Sequence, residues 1–282
     1  MSQVHIVTDS ASHIPQALRE ELNIHVVHLP FTWDGETYLD EIDMGNREFY
    51  SRLKTSSTLP TTSGPTPGAY DEKFKELSKA GGEILVIHVG SEFSSTHESA
   101  RLAKSMNPEA SIHLINSHSN AMGLGFQVMA VARAARQGAG FQELVELAQD
   151  VRSSTGVVFY AEDISYLHRG GRINVGQRVL ASVLNILPIM QIQFGPIEMV
   201  GRTRSRKNAV RKMVEIAEGK MKGGKPVRIA IHHAENEKAA FELRRFVEDK
   251  LAPEELILEE ISPILGIHVG PNALGLAYSV GY

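Results

Sequence analysis

Two hydroxyl-rich segments could bind a charged group: Thr61-Thr62-Ser63-Gly64-Pro65-Thr66-Pro67-Gly68 and Ser91-Glu92-Phe93-Ser94-Ser95-Thr96. Each stands just before a stretch of helical spacing, and the second follows the apolar run 84–89. A helix start presents unpaired N–H groups and a partial positive charge, so hydroxyls there can complete an anion site. Neither segment contains Lys or Arg, which suits a carboxylate or a buried neutral head group better than a triphosphate. The same residues also read as ordinary helix caps in a flexible loop, and both readings stand at this point.

A second constellation is Tyr166-Leu167-His168-Arg169-Gly170-Gly171-Arg172-Ile173. A glycine pair permits close backbone approach and aims the guanidinium that follows it. Arg202, Arg204, Arg206 and Lys207 form a further basic group. Here the choice lies between an anionic ligand or acidic partner and a helix end with a solvated charge face. Residues 166–212 hold nine Lys or Arg against Glu198 alone, although the chain as a whole carries a net charge of -4. Twelve histidines invite a metal reading that their spacing mostly refuses. His232 and His233 are neighbours on a strand pattern and point to opposite faces. Most of the twelve read as surface or satisfied histidines.

The elements that must position these groups alternate short apolar runs with amphipathic stretches. Strands are expected at 4–7, 26–29, 84–89 and 112–115, and helices at 94–106, 121–136 and 141–152. A helix opens near Thr66 and Pro67, buries Tyr70, Phe74 and Leu77, and ends at Gly81-Gly82. This order predicts a parallel sheet with helices on both faces and ligand-binding loops beyond the strands' carboxyl ends, after Val7, Val89 and Ile115. The second half predicts a strand at 156–161, a helix at 175–184 and a hairpin turning at Gly195-Pro196. A basic helix at 206–221, strands at 227–232, 256–261 and 274–280, and a helix at 235–251 follow. The expected fold is α/β in two domains, 1–154 with a parallel sheet and 155–282 with a mixed sheet. The one low-complexity stretch is 55–67.

The chain of 282 residues has no cysteine, which excludes disulfides, thiolate metal sites and cysteine nucleophiles. No apolar run approaches the ~20 residues of a membrane span, and Met1 to Ile6 offers no signal-peptide core. A cytoplasmic protein is therefore expected. Gly224-Lys225 lacks the Ser or Thr of a P-loop because Pro226 follows. Val128 occupies the third glycine position of a dinucleotide fingerprint, so a nicotinamide enzyme is not expected.

Taken together, the segments resemble the DegV family, which includes the fatty-acid-binding subunits of bacterial fatty acid kinase. The matching pieces are Thr8-Asp9-Ser10, Pro60-Thr61-Thr62-Ser63-Gly64-Pro65, Ser94-Ser95-Thr96-x-x-Ser99-Ala100 and the 166–173 run. Leu184-Asn185-Ile186-Leu187-Pro188-Ile189 and His268-Val269-Gly270-Pro271 complete the family order. The resemblance implies a chain that buries one long-chain fatty acid between its domains and presents the carboxylate to a separate ATP-dependent kinase subunit. By the same resemblance, Thr62 and Ser94 hold the carboxylate, with Thr61, Ser63 and Ser95 adjacent and His268 beside them. Arg172 and Arg204 would serve the partner or phosphoryl side. It implies no catalytic residue, metal or cofactor in this chain, no nucleic-acid partner and no stable membrane insertion. Burying about 14 methylenes at ~0.8 kcal/mol each gives roughly 11 kcal/mol before ordering costs, so the tail would dominate affinity. The small-residue helix 121–135 offers room for that tail, or else packs tightly on a sheet. The sequence departs from the family at His13, Gly64, Ser95, Leu187 and Asn272, and Ser95 adds bulk beside the head-group site. Two other functions compete: a stand-alone enzyme on a small hydroxylated or phosphorylated substrate with His268 as general base, and a binder of nucleic acid or acidic protein through the basic segment.

Overall fold

Alternation within three short apolar strands fixes the first layer. β1 (Val4–Asp9) and β2 (Ile24–Val27) pair in parallel, and the run later in the chain at Glu83–His88 lies on the other side of β1. Successive side chains point to opposite faces. Ile6, Leu85 and Ile87 therefore enter one core, while Val7, Ile84 and Val86 enter another. The computed structural model describes residues 3–173 and 186–282.

Between these strands the chain builds a small antiparallel sheet from β3 (Pro30–Trp33), β4 (Glu36–Leu39) and β5 (Thr61–Thr62), with helix α2 (Asn46–Thr55) following α1 (Gln16–Glu21). Helix α3 (Pro67–Ala80) opens as the sequence predicts: Thr66 Oγ1 accepts the Ala69 N–H at 3.3 Å, and Gly81 ends it at φ +79°. Tyr70, Phe74 and Leu77 are buried on its inner face. Strand β6 (Glu83–His88), α4 (Thr96–Ser105) and β7 (Ile112–Asn116) complete a four-stranded parallel sheet in the order β2-β1-β6-β7.

Helices α5 (Ala121–Arg136) and α6 (Phe141–Asp150) cover the other face of that sheet. Helix α5 also packs on the second sheet, so both sheets draw on one central core. Its glycines settle the choice left open above. A Cβ on Gly123 would stand 2.7 Å from Val157 Cγ2, and one on Gly125 would stand 2.7 Å from the Ser12 carbonyl oxygen. The small residues serve close packing, and from this helix only Ala121 reaches the cavity described below.

The second sheet is mixed, in the order β10-β9-β8-β13-β11-β12. Its strands are β8 (Thr155–Tyr160), β9 (Leu187–Ile192), β10 (Glu198–Thr203), β11 (Val227–His233), β12 (Glu255–Glu260) and β13 (Leu274–Val280). The antiparallel β9–β10 pair is the expected hairpin. Helices α7 (Ser165–Arg169), α8 (Arg206–Met221), α9 (Glu237–Leu251) and α10 (Pro263–Val269) complete the described elements. The helix expected at 175–184 and the Leu184-Asn185 pair lie outside the described residues. The fold is thus two α/β units, one on a parallel and one on a mixed sheet, as the sequence predicts. Two things were not foreseen. The β3–β5 sheet was not, and the supposed low-complexity stretch contributes β5 to it.

Candidate functional site

The loops after β1, β6 and β7 converge on one cavity, as open parallel sheets require. Ala11, Val89, Phe93, Ser94, Asn120 and Ala121 come from those loops and the start of α5. The facing wall comes from the mixed sheet and α10, through residues such as Val157, Phe159, Ile192, Ile264 and Val269. The cavity measures about 880 Å³ between its walls, mouth included. It is a narrow, mainly apolar slot with a few polar groups, the usual make-up of a small-molecule site.

One end of the slot is polar, and long-range contacts build it. Strand β5 places Thr62 by pairing with Phe31 of β3. Helix α10 places His268 and is anchored to the first half of the chain. Asp40 accepts from the Ile264 N–H and the Ser262 hydroxyl, both at 3.0 Å, and the Tyr50 hydroxyl donates to the Ile261 carbonyl at 3.0 Å. Thr62 Oγ1 and His268 Nε2 consequently meet at 2.8 Å across the two units. Burial, followed by the nearby Arg172 charge, pushes His268 down to about 3, so the ring is neutral. Its Nδ1 has no hydrogen-bond partner among the described residues. A Cβ on Gly170 would collide with that nitrogen, which explains the first glycine of the pair; Gly171, at φ +72°, serves the turn.

Arg172 is half-buried and already engaged. Its Nε and Nη2 donate to the Phe93 carbonyl at 3.0 and 2.8 Å, and its Nη1 donates to the Gly170 carbonyl. Desolvation lowers its pKa. The guanidinium thus ties the 166–173 segment to the loop that carries Ser94. A second pocket of about 620 Å³ lies outside this point. It shares Thr62, Arg172 and His268 with the slot and adds Thr61, Tyr166 and Arg169, so the three shared residues form a partition between the two spaces.

Ser63 and Ser94 line the slot with Thr62. The Ser94 hydroxyl lies 2.8 Å from that of Thr96 and accepts the Thr96 N–H at 3.3 Å, so it shapes the start of α4 as well. Ser95 is exposed, lies outside the slot and abuts Gly64, where a Cβ would collide with its hydroxyl. The bulk of Ser95 therefore falls outside the slot, in the space that Gly64 leaves. Arg204 is exposed after β10, outside both spaces, and makes no ion pair among the described residues. Sequence reasoning missed the apolar walls, which come from six elements and the loops between them, and it missed His232, which lines the slot. The period-two pattern did place His232 opposite His233, whose Nδ1 accepts the Asn236 N–H.

No helix among the described residues is long and apolar enough to cross a membrane, and no group of three or more His, Asp or Glu there could hold a metal ion. A DegV domain-containing protein of Halalkalibacterium halodurans is 30% identical over 281 residues, covering 99% of each chain. Among solved structures, a DegV family protein from Thermus thermophilus described for its fatty acid binding has a TM-score of 0.93 at 26% identity, covering 99% of this chain and 100% of its own. DegV from Bacillus subtilis, described as a fatty acid binding protein, has a TM-score of 0.88 at 28% identity, with the same coverage. The DegV family model itself matches residues 3–280, and the chain belongs to that family.

Proposed function

We propose that this protein binds one long-chain fatty acid in the slot, with its carboxylate at Thr62, Ser63, Ser94 and His268, and hands that carboxylate to a separate ATP-dependent kinase. The observation that carries the reading is a narrow apolar slot ending in a Thr62–His268 pair that also faces an outer pocket. The two relatives described as fatty acid binding share this fold. The two units, 1–154 and 155–282, would then be the domains that enclose the ligand.

The chemistry follows from neutral donors. With its proton on Nε2, His268 donates to Thr62 Oγ1, and the threonine O–H is free to donate to a carboxylate oxygen. Hydroxyl donors hold that oxygen without neutralising it, so the other oxygen stays nucleophilic. In the partner's reaction that oxygen attacks the γ-phosphorus of ATP, the bond to the β-γ bridging oxygen breaks, and ADP leaves with the electron pair. This chain supplies orientation and water exclusion, not a catalytic residue. His268 near 3 is a poor general base at neutral pH, which weighs against the stand-alone enzyme.

Denaturing the purified protein and analysing the organic extract by mass spectrometry tests the reading. One acyl chain per protein is expected. Repeated absence of any acyl chain, together with no uptake of added fatty acid, sinks it.

A further inference from the structure

The slot contains a buried, unpartnered histidine that the head group does not explain. His232 sits near the end of β11, between Gly275 of β13 and Glu259 of β12 in register, and is 2% exposed. Neither of its ring nitrogens has a hydrogen-bond partner among the described residues. Its ring lies beside that of His13, with centroids 5.5 Å apart. His13 is also buried, its Nε2 is unpartnered, and it lines a separate polar cleft near Arg19 and Glu41. The two rings therefore stand in the wall between the slot and that cleft. No hydrogen bond or ring contact among the described residues links His232 to the Thr62–His268 end.

Burial, with the neighbouring His233 as a second cause, holds His232 neutral, near 4, against the opposing influence of the Glu259 backbone. A neutral imidazole offers one N–H donor and one acceptor nitrogen. A hydrocarbon tail satisfies neither, and unpaired buried polar groups are costly. A hydroxyl oxygen both donates and accepts, and so matches the ring.

Building on the fatty-acid reading above, we propose that His232 makes the slot selective for an oxygenated long-chain fatty acid, one with a hydroxyl group where its tail passes this ring. Discrimination then arises from the penalty on the plain chain, because a site with unpaired polar groups rejects the analogue that lacks the matching group.

Competitive binding of stearic acid against a series of hydroxystearic acids, each hydroxylated at a different carbon, tests this. On the unsubstituted protein at least one isomer is expected to bind about tenfold tighter than stearic acid. His232→Leu should remove that preference and bind stearic acid at least as tightly as before. If stearic acid binds but no isomer outranks it, the selectivity proposal is overturned and the fatty-acid reading stands. If neither stearic acid nor any isomer binds, both fall. The isomer series on the unsubstituted protein decides the matter even if His232→Leu fails to fold.

Discussion

Gly170 shows how one missing side chain can hold a binding group in place. A Cβ there would collide with His268 Nδ1, while Nε2 of the same ring meets Thr62, so the imidazole occupies the space the glycine leaves. In Gly170→Ala the ring must move and the contact with Thr62 is lost. Fatty-acid affinity should fall about fivefold, the value of one hydrogen bond between neutral groups. Thr62→Val should cost more than Gly170→Ala, because it removes the hydroxyl that donates to the carboxylate as well as the contact with His268, and the double change should cost little more than Thr62→Val alone. Fully additive losses in a titration would show that the two residues act separately. Gly64 and Ser95 make a related point: two departures from the family pattern are one exchange of volume, visible only when the two loops are seen side by side.

At the scale of elements, the link between the 166–173 segment and the loop before α4 is the guanidinium of Arg172. Arg172→Ala leaves the Phe93 carbonyl unpaired and should cost about 2 kcal/mol. Amide exchange should quicken in residues 91–95, and bound fatty acid should dissociate faster. Unchanged exchange there would argue that the loop is held by Ser94 and Thr96 alone. This level also separates what could be read in the sequence from what could not. The Thr66-Pro67 start of α3, the bounds of α5 and the β9–β10 hairpin are written in consecutive residues, so local pattern was enough. Strand β5 is two residues long and exists because β3 lies beside it. Asp40 matters because Ser262 and Ile264 fold onto it. The site's hydroxyls and glycines were legible as types; their partners, more than 200 positions away for Thr62, were not.

For the whole molecule, buried ionisable groups set a pH response with two opposing parts. His88 and His232 are pushed down to about 4 and His268 to about 3, and His13 is lowered as well, all chiefly by burial. Their stabilising contribution is complete above the ordinary histidine range and is lost as pH falls through it, because the unfolded chain takes up protons first. Asp9 and Asp40, pushed up to about 7 by burial, act in the opposite sense: their contribution is complete below pH 3.8 and is lost as pH rises to about 7. Histidines held neutral, His25, His28, His113 and His233 among them, outnumber the carboxyls pushed up, so unfolding near pH 5.5 should take up protons on balance, and stability should fall on acidification from 6.5. Denaturant titrations between pH 5 and 7 check this, and a rise in stability on acidification would contradict it. The basic surface gives a second expectation at this scale. Arg204→Glu should weaken kinase-coupled phosphorylation severalfold and spare lipid binding. Equal loss of both, measured by turnover and by lipid titration, counts against a docking role.

Helix α5 forms part of the core of both sheets, and this limits how far either half can exist alone. If residues 1–154 were expressed by themselves, the α5 surface that packs on β8 and β13 would be bared to water. Residues 155–282 alone would present an uncovered sheet face. Neither fragment should give a cooperative melt, and both should bind a hydrophobic dye, whereas the full chain should melt in one step. A well-folded 1–154 fragment would show that α5 belongs to the first unit only. Opening the two sheets like a hinged clamp would break this shared core. An acyl chain would have to thread lengthwise through a local gap, so exchange would be slow and set by side-chain movements at the mouth.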